Sequence, residues 1–160
     1  MENFFIVKQL EDLDLESKYL AHKARDAAGH AYAPYSKFQV GAAVLLEDGT
    51  IVTGTNQENA AYPSGMCAER VALYAAIAQY PEALISKIAV VARRKGSKDL
   101  LPATPCGPCR QVMVEFEMRQ QKSFEVIMQG QQRQWIKALS AQSLLPFSFT
   151  AESLEHHEKK

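Results

Sequence analysis

All three cysteines of the chain lie in two short stretches, Cys67-Ala68-Glu69-Arg70 and Pro105-Cys106-Gly107-Pro108-Cys109-Arg110. Cys106 and Cys109 stand three positions apart, a same-face separation in the first turn of a helix, so both can bind one cation without backbone distortion. Cys67 offers a third thiolate. Soft sulfur ligands select zinc over hard cations. Zinc sites are mostly four-coordinate, and catalytic ones keep one position open. The count leaves that place to water or to a histidine.

Glu69 is two residues from Cys67, which in mid-helix would point the two apart. At a helix start the objection weakens, because the site lies beyond the helix end. The free N–H groups there favour the thiolate form of cysteine. Three thiolates around a dication carry a formal charge of minus one, which opposes formation of a hydroxide nucleophile. Arg70 is the natural compensator, a cation able to donate hydrogen bonds to thiolate sulfur.

The elements that position these groups follow from the patterning. Residues 10–33 read as a helix, with Leu13, Leu20, Ala24, Ala27, Ala28 and Ala31 on one face and Pro34 as its stop. Phe38 to Glu47 alternates as a strand, Asp48-Gly49 is a hairpin turn, and Ile51 to Glu58 is the partner strand. A helix from about Cys67 to Gln79 follows. Ile85 to Arg93 reads as a central strand, Gly107 to Met118 as a second site helix, and Phe124 to Met128 and Arg133 to Leu139 as further strands. This alternation implies an α/β fold: three layers, a mixed five-stranded sheet with helices on both faces. Both site helices follow strands, which puts their N-termini at the carboxyl edge of the sheet, where such folds keep their ligands.

The totals narrow the class. A chain of 160 residues suits one domain, here 1–160, with residues 155–160 as a solvated tail. Lys+Arg and Asp+Glu both number 18, a balance that argues against a polyanion as main partner. No stretch approaches membrane-spanning length. Three cysteines with one Cys-x-x-Cys suit a reducing compartment, and the expected location is cytoplasmic.

Cys67-Ala68-Glu69 with Pro105-Cys106-x-x-Cys109 resembles the signature of the zinc deaminases that act on nucleobases. Cysteine as first ligand, with Arg70 after the glutamate, resembles the small homotetrameric cytidine deaminases. The likeness extends to Ala33-Pro34-Tyr35-Ser36, Phe38-x-Val40-Gly41-Ala42-Ala43, Asn56-Gln57-Glu58-Asn59-Ala60-Ala61-Tyr62-Pro63 and Leu144-Leu145-Pro146-Phe147-Ser148-Phe149, over roughly residues 15–155. It implies one Zn2+ per chain on Cys67, Cys106 and Cys109. It implies hydrolytic deamination of free cytidine and 2′-deoxycytidine, with Glu69 as proton shuttle. It implies ribose contacts from Asn56 and Glu58, a pyrimidine stacked on Phe38, and backbone groups near Ala68 reading the base. Tyr62 and Phe149 would reach a neighbouring subunit's site in a homotetramer. Residues 94–104 and 119–143 depart from the pattern.

Other readings use the same residues. A structural zinc knot would take His22 or His30 as fourth ligand, but leaves Glu69 and Arg70 idle. A thioredoxin-like Cys106/Cys109 pair leaves Cys67 idle. The basic run Arg93-Arg94-Lys95-Gly96-Ser97-Lys98 could serve an RNA or DNA cytosine editor, yet the balanced charge and lack of an appended binding domain oppose this. A deaminase of another aminated nucleoside, such as a nucleoside antibiotic, is a variant of the first reading.

Overall fold

A computed structural model describes residues 3–154; the tail expected at 155–160 lies outside the described residues. One mixed sheet forms the middle layer. Its strands are β1 (Phe4–Val7), β2 (Phe38–Leu46), β3 (Ile51–Thr55), β4 (Ile85–Arg94), β5 (Leu100–Leu101), β6 (Glu125–Gln129) and β7 (Trp135–Ala138). The order is β1-β7-β6-β4-β2-β3, with β5 paired to β4. Among these strands β4 and β6 form the one parallel pair. Among the described residues the sheet therefore has seven strands rather than five. The five expected strands are present, and the short strands β1 and β5 are added to them.

The helices are α1 (Leu15–Ala28), α2 (Ala68–Gln79) and α3 (Gly107–Gln120). Leu20, Ala21 and Ala24 of α1 pack with Ala43, Val91, Ile127 and Trp135 on one face of the sheet. Ala72, Leu73 and Ala76 of α2, with Met113 and Val114 of α3, pack with Val44, Leu46 and Val90 on the other. Strand β2 thus buries both faces, which is why its residues from Val40 onward run without a polar alternate. Among the described residues no helix is long and apolar enough to cross a membrane.

The first helix is shorter than residues 10–33. Asp14 caps it, accepting from the Ser17 N–H at 2.9 Å and from the Ser17 hydroxyl at 2.7 Å. It ends before Gly29 rather than at Pro34. The backbone of Tyr32 pairs instead with the strand-end segment: its N–H donates to the Asn56 carbonyl and its carbonyl accepts from the Glu58 N–H. Strand β3 likewise stops at Thr55, not Glu58, because the Asn56 carbonyl has been diverted to Tyr32.

Glycine sets how closely α2 approaches the sheet. A Cβ on Gly54 would lie 2.4 Å from the Ala72 nitrogen and 2.7 Å from the Ala68 carbonyl oxygen, both backbone atoms that cannot step aside. Gly41 admits α1 on the opposite face in the same way. Gly54→Ala is expected to cost about 2 kcal/mol or more, in the range of overpacked cores. It would also push out the helix that carries Cys67 and Glu69. Denaturant midpoints measure the first effect and zinc affinity the second; a variant with both at wild-type values would contradict this packing.

Candidate active site

Cys67 is the N-cap of α2 and Cys106 the N-cap of α3, both with extended backbone. Cys109 sits in the first turn of α3, fully buried. The two helix starts bring all three sulfurs within 4.8 Å of one another. Cys67 and Cys106 are 3.8 Å apart, and Cys106 and Cys109 are 3.4 Å apart. Tetrahedral zinc with 2.3 Å bonds to sulfur requires a separation of about 3.8 Å, so this donor set fits the ion. Among the described residues no histidine joins the cluster.

The thiols differ in how readily they ionise. The hydrogen bond with Cys109, aided by Arg70, pulls the Cys67 thiol down to about 5. The same pairing, together with burial, pushes the Cys109 thiol up. One Arg70 Nη donates to the Cys67 sulfur at 3.7 Å. Glu69 is buried, with 5% of the residue exposed. Burial raises its pKa, and the negative charge of Cys67 adds to the rise.

Cys67, Cys106, Glu69 and Arg70 form part of the wall of a cavity of about 910 Å3, with Cys109 buried behind it. Phe38, Asn56, Glu58, Tyr62, Ala68 and Glu69 all line it together with Cys67 and Cys106, so the structure brings these residues to the cysteine cluster. Phe149 is the exception. It is 59% exposed and lies outside the cavity of its own chain. Gln57, between Asn56 and Glu58, also borders the cavity, with its side-chain amide donating to the Thr55 hydroxyl. Arg93, Arg94, Lys95 and Lys98 do not line it, and His22 and His30 are absent from it.

Asn56 and Glu58 are already engaged. The Asn56 Oδ1 accepts from the Val40 N–H and its Nδ2 donates to the Phe38 carbonyl, both at 2.9 Å. The Glu58 carboxylate accepts from the Tyr35 N–H, the Ser36 N–H and the Ser36 hydroxyl. These bonds fasten the end of β3 to the approach of β2.

Sequence reasoning gave no role to several residues that support the site. Arg110 donates from Nε to the Pro105 carbonyl at 2.8 Å and from Nη1 to the Leu144 carbonyl at 3.1 Å. Gln111 donates to the Phe149 carbonyl at 2.7 Å. The buried Glu117 accepts N–H bonds from Phe124, Ala141 and Gln142. Together these three side chains of α3 hold the segment that carries Phe149. The adjacency of Arg110 and Gln111 to Cys109 was the only available signal.

The family profile for the cytidine and deoxycytidylate deaminase zinc-binding region matches residues 15–124. The cytidine deaminase of Halalkalibacterium halodurans is 41% identical over 140 residues, covering 88% of this chain and 98% of that protein. The cytidine deaminase of Sporosarcina psychrophila is 41% identical over 147 residues, covering 92% and 96%. Among solved structures, cytidine deaminase from Burkholderia pseudomallei superposes with a TM-score of 0.69 at 38% identity, covering 86% of this chain and all of that one. The Mycobacterium tuberculosis enzyme gives 0.65 at 34% identity, covering 86% and 99%. With matching profile, relatives, fold and three-cysteine cluster, this chain belongs to the cytidine and deoxycytidylate deaminase family.

Proposed function

We infer that the protein hydrolyses free cytidine and 2′-deoxycytidine to uridine and 2′-deoxyuridine, releasing ammonia. The observation that carries this reading is Glu69, a buried residue in the wall of one cavity with a raised pKa, next to a cluster of three thiols of which Cys67 and Cys106 share that wall. Zinc, when held by Cys67, Cys106 and Cys109, supplies an acidified water at neutral pH.

Glu69 does the proton work. Its carboxylate takes a proton from the attacking water and delivers one to ring N3, which makes C4 electrophilic. The hydroxide left behind adds to C4. Glu69 takes the second proton from the new C4 hydroxyl and passes it to the amino group, and the C4–N bond breaks as ammonia leaves and the C4 carbonyl forms. A carboxyl shifted towards neutrality suits both directions of transfer. Arg70 balances the thiolate charge. Phe38 presents a ring on which the pyrimidine stacks, and backbone groups near Ala68 read the base edge.

The bonding capacity of Asn56 and Glu58 explains tolerance of both sugars. A carboxylate has about four acceptor sites, and three of those on Glu58 are taken. Asn56 keeps one N–H and one lone pair. What remains suits a single hydroxyl, donating to Glu58 and accepting from Asn56. Cytidine and 2′-deoxycytidine share the 3′ hydroxyl, and neither needs a second contact here. Comparable kcat/KM on the two nucleosides, with a large loss on 3′-deoxycytidine, is the expected result. Turnover of a cytosine in single-stranded DNA or RNA with none of the nucleosides would overturn the reading.

The protein works as a homotetramer with shared sites. Tyr62 at the cavity wall is 81% exposed, and Phe149 is exposed and directed to no site in its own chain. Both are free to complete a neighbour's cavity. Sedimentation should give a mass near four times the 17.8 kDa chain. Co-expressed Glu69→Gln and Phe149→Ala chains should form mixed assemblies more active than either variant alone; simple averaging of the two activities would contradict sharing. A cytoplasmic location suits three thiols that must stay reduced to bind metal.

A further inference from the structure

Phe38 stands directly after a residue in an unfavourable conformation. Lys37 has φ +55°, in the left-handed region that L residues other than glycine seldom adopt. A backbone held there needs its neighbours to fix it. The Lys37 carbonyl accepts from the Lys95 N–H and the Lys37 N–H donates to the Ala33 carbonyl. The tighter restraint comes from Ser36, whose hydroxyl accepts from the Phe38 N–H at 3.0 Å and donates to Glu58. The other polar backbone atom of Phe38, its carbonyl, is bound by Asn56 Nδ2. Both backbone anchors of Phe38 therefore lead to Asn56 and Glu58.

We propose that Ser36 is a positioning residue: it seats the Phe38 ring in the substrate cavity by relaying the hold of Glu58 to the Phe38 backbone. The inference rests on the reading of Phe38 as the base platform and of Glu58 as a sugar contact. The Ser36 bond is also the leading cause that holds the Glu58 carboxyl below its ordinary range, so Glu58 stays an anionic acceptor. A sugar hydroxyl that bonds Glu58 then acts on the same carboxylate that orients the ring. Sugar recognition and base stacking share one fastening.

A double-mutant cycle tests this, read by calorimetric binding of uridine to the zinc-loaded protein and by KM for cytidine. Ser36 is exposed, so its truncation removes no core packing. Ser36→Ala is expected to weaken uridine binding and raise KM about tenfold, the loss of one well-made hydrogen bond with its ordering. The kcat should change far less, and Ser36→Thr, which keeps the hydroxyl, should restore most of the loss. In a Phe38→Leu background the Ser36→Ala effect should be several-fold smaller, because the part that runs through the ring is gone and only the part that runs through Glu58 remains. An equal effect in both backgrounds, or none in either, overturns the clasp while leaving the deaminase reading intact. Wild-type protein that neither binds uridine nor turns over cytidine removes the parent reading, and the clasp with it.

Discussion

Glu69→Gln is expected to lower kcat at least about a thousandfold, in the upper part of what a general acid–base group contributes. Zinc content should remain one per chain, because Glu69 is no part of the sulfur cluster. The amide keeps the shape of the carboxyl and loses only the proton transfer. Stability should move the other way. Burial raises the folded pKa of Glu69 above its ordinary 4.5, so the folded metal-free protein binds the proton more tightly than the unfolded chain. The stability this confers is present at low pH and is lost as pH climbs from 4.5 through the raised value. The glutamine variant has no such loss. Its melting temperature relative to wild type should therefore rise with pH across that window. A variant with wild-type turnover contradicts the shuttle; one that has lost zinc contradicts the assignment of the metal to sulfur alone.

Cys106→Ala is expected to have the second large effect. Cys106 is exposed whereas Cys109 is fully buried, so truncating Cys106 removes a ligand without opening a void. Two thiolates remain, too few for a site of this kind. Zinc affinity should fall by orders of magnitude, and kcat/KM with it. Stabilisation by added metal is a further measure. Metal at a thousand times its dissociation constant stabilises a folded protein by about 4 kcal/mol. Wild-type chain should show a zinc-dependent rise in melting temperature that Cys106→Ala lacks. Retention of one zinc and full activity by Cys106→Ala would show that another residue completes the site.

The chemistry was legible in the sequence because it rests on residue types at short separations. Cys106 and Cys109 need only the pitch of a helix, and Cys67 and Glu69 only the start of one. The central strands were legible for a similar reason: β2 and β4 carry runs of apolar, often β-branched residues broken by clear turns. What escaped depends on distant partners. Strand β1 is four apolar residues that remain largely exposed at a sheet edge, and nothing in Phe4–Val7 marks its pairing with β7. The true end of α1 was hidden because Ala31 continues the helical spacing, while Tyr32 finds better hydrogen bonds on the β3 side. Asn56 and Glu58 share a strand face and so read as open ligand contacts. That their remaining capacity fits one hydroxyl rather than a pair follows only from the bonds to Phe38, Val40, Tyr35 and Ser36. Glu117 is a buried carboxylate whose partners are three backbone N–H groups further along the chain, a pairing that no residue pattern announces.

The most direct measurement is the loss of cytidine absorbance on incubation with purified protein, with zinc assayed in the same sample. Turnover to uridine with one zinc per chain is the predicted result. Protein prepared without chelator that holds one zinc yet leaves both cytidine and 2′-deoxycytidine unchanged would contradict the substrate. Protein with neither metal nor turnover would contradict the reading of the cysteine cluster and Glu69 as a zinc deaminase centre.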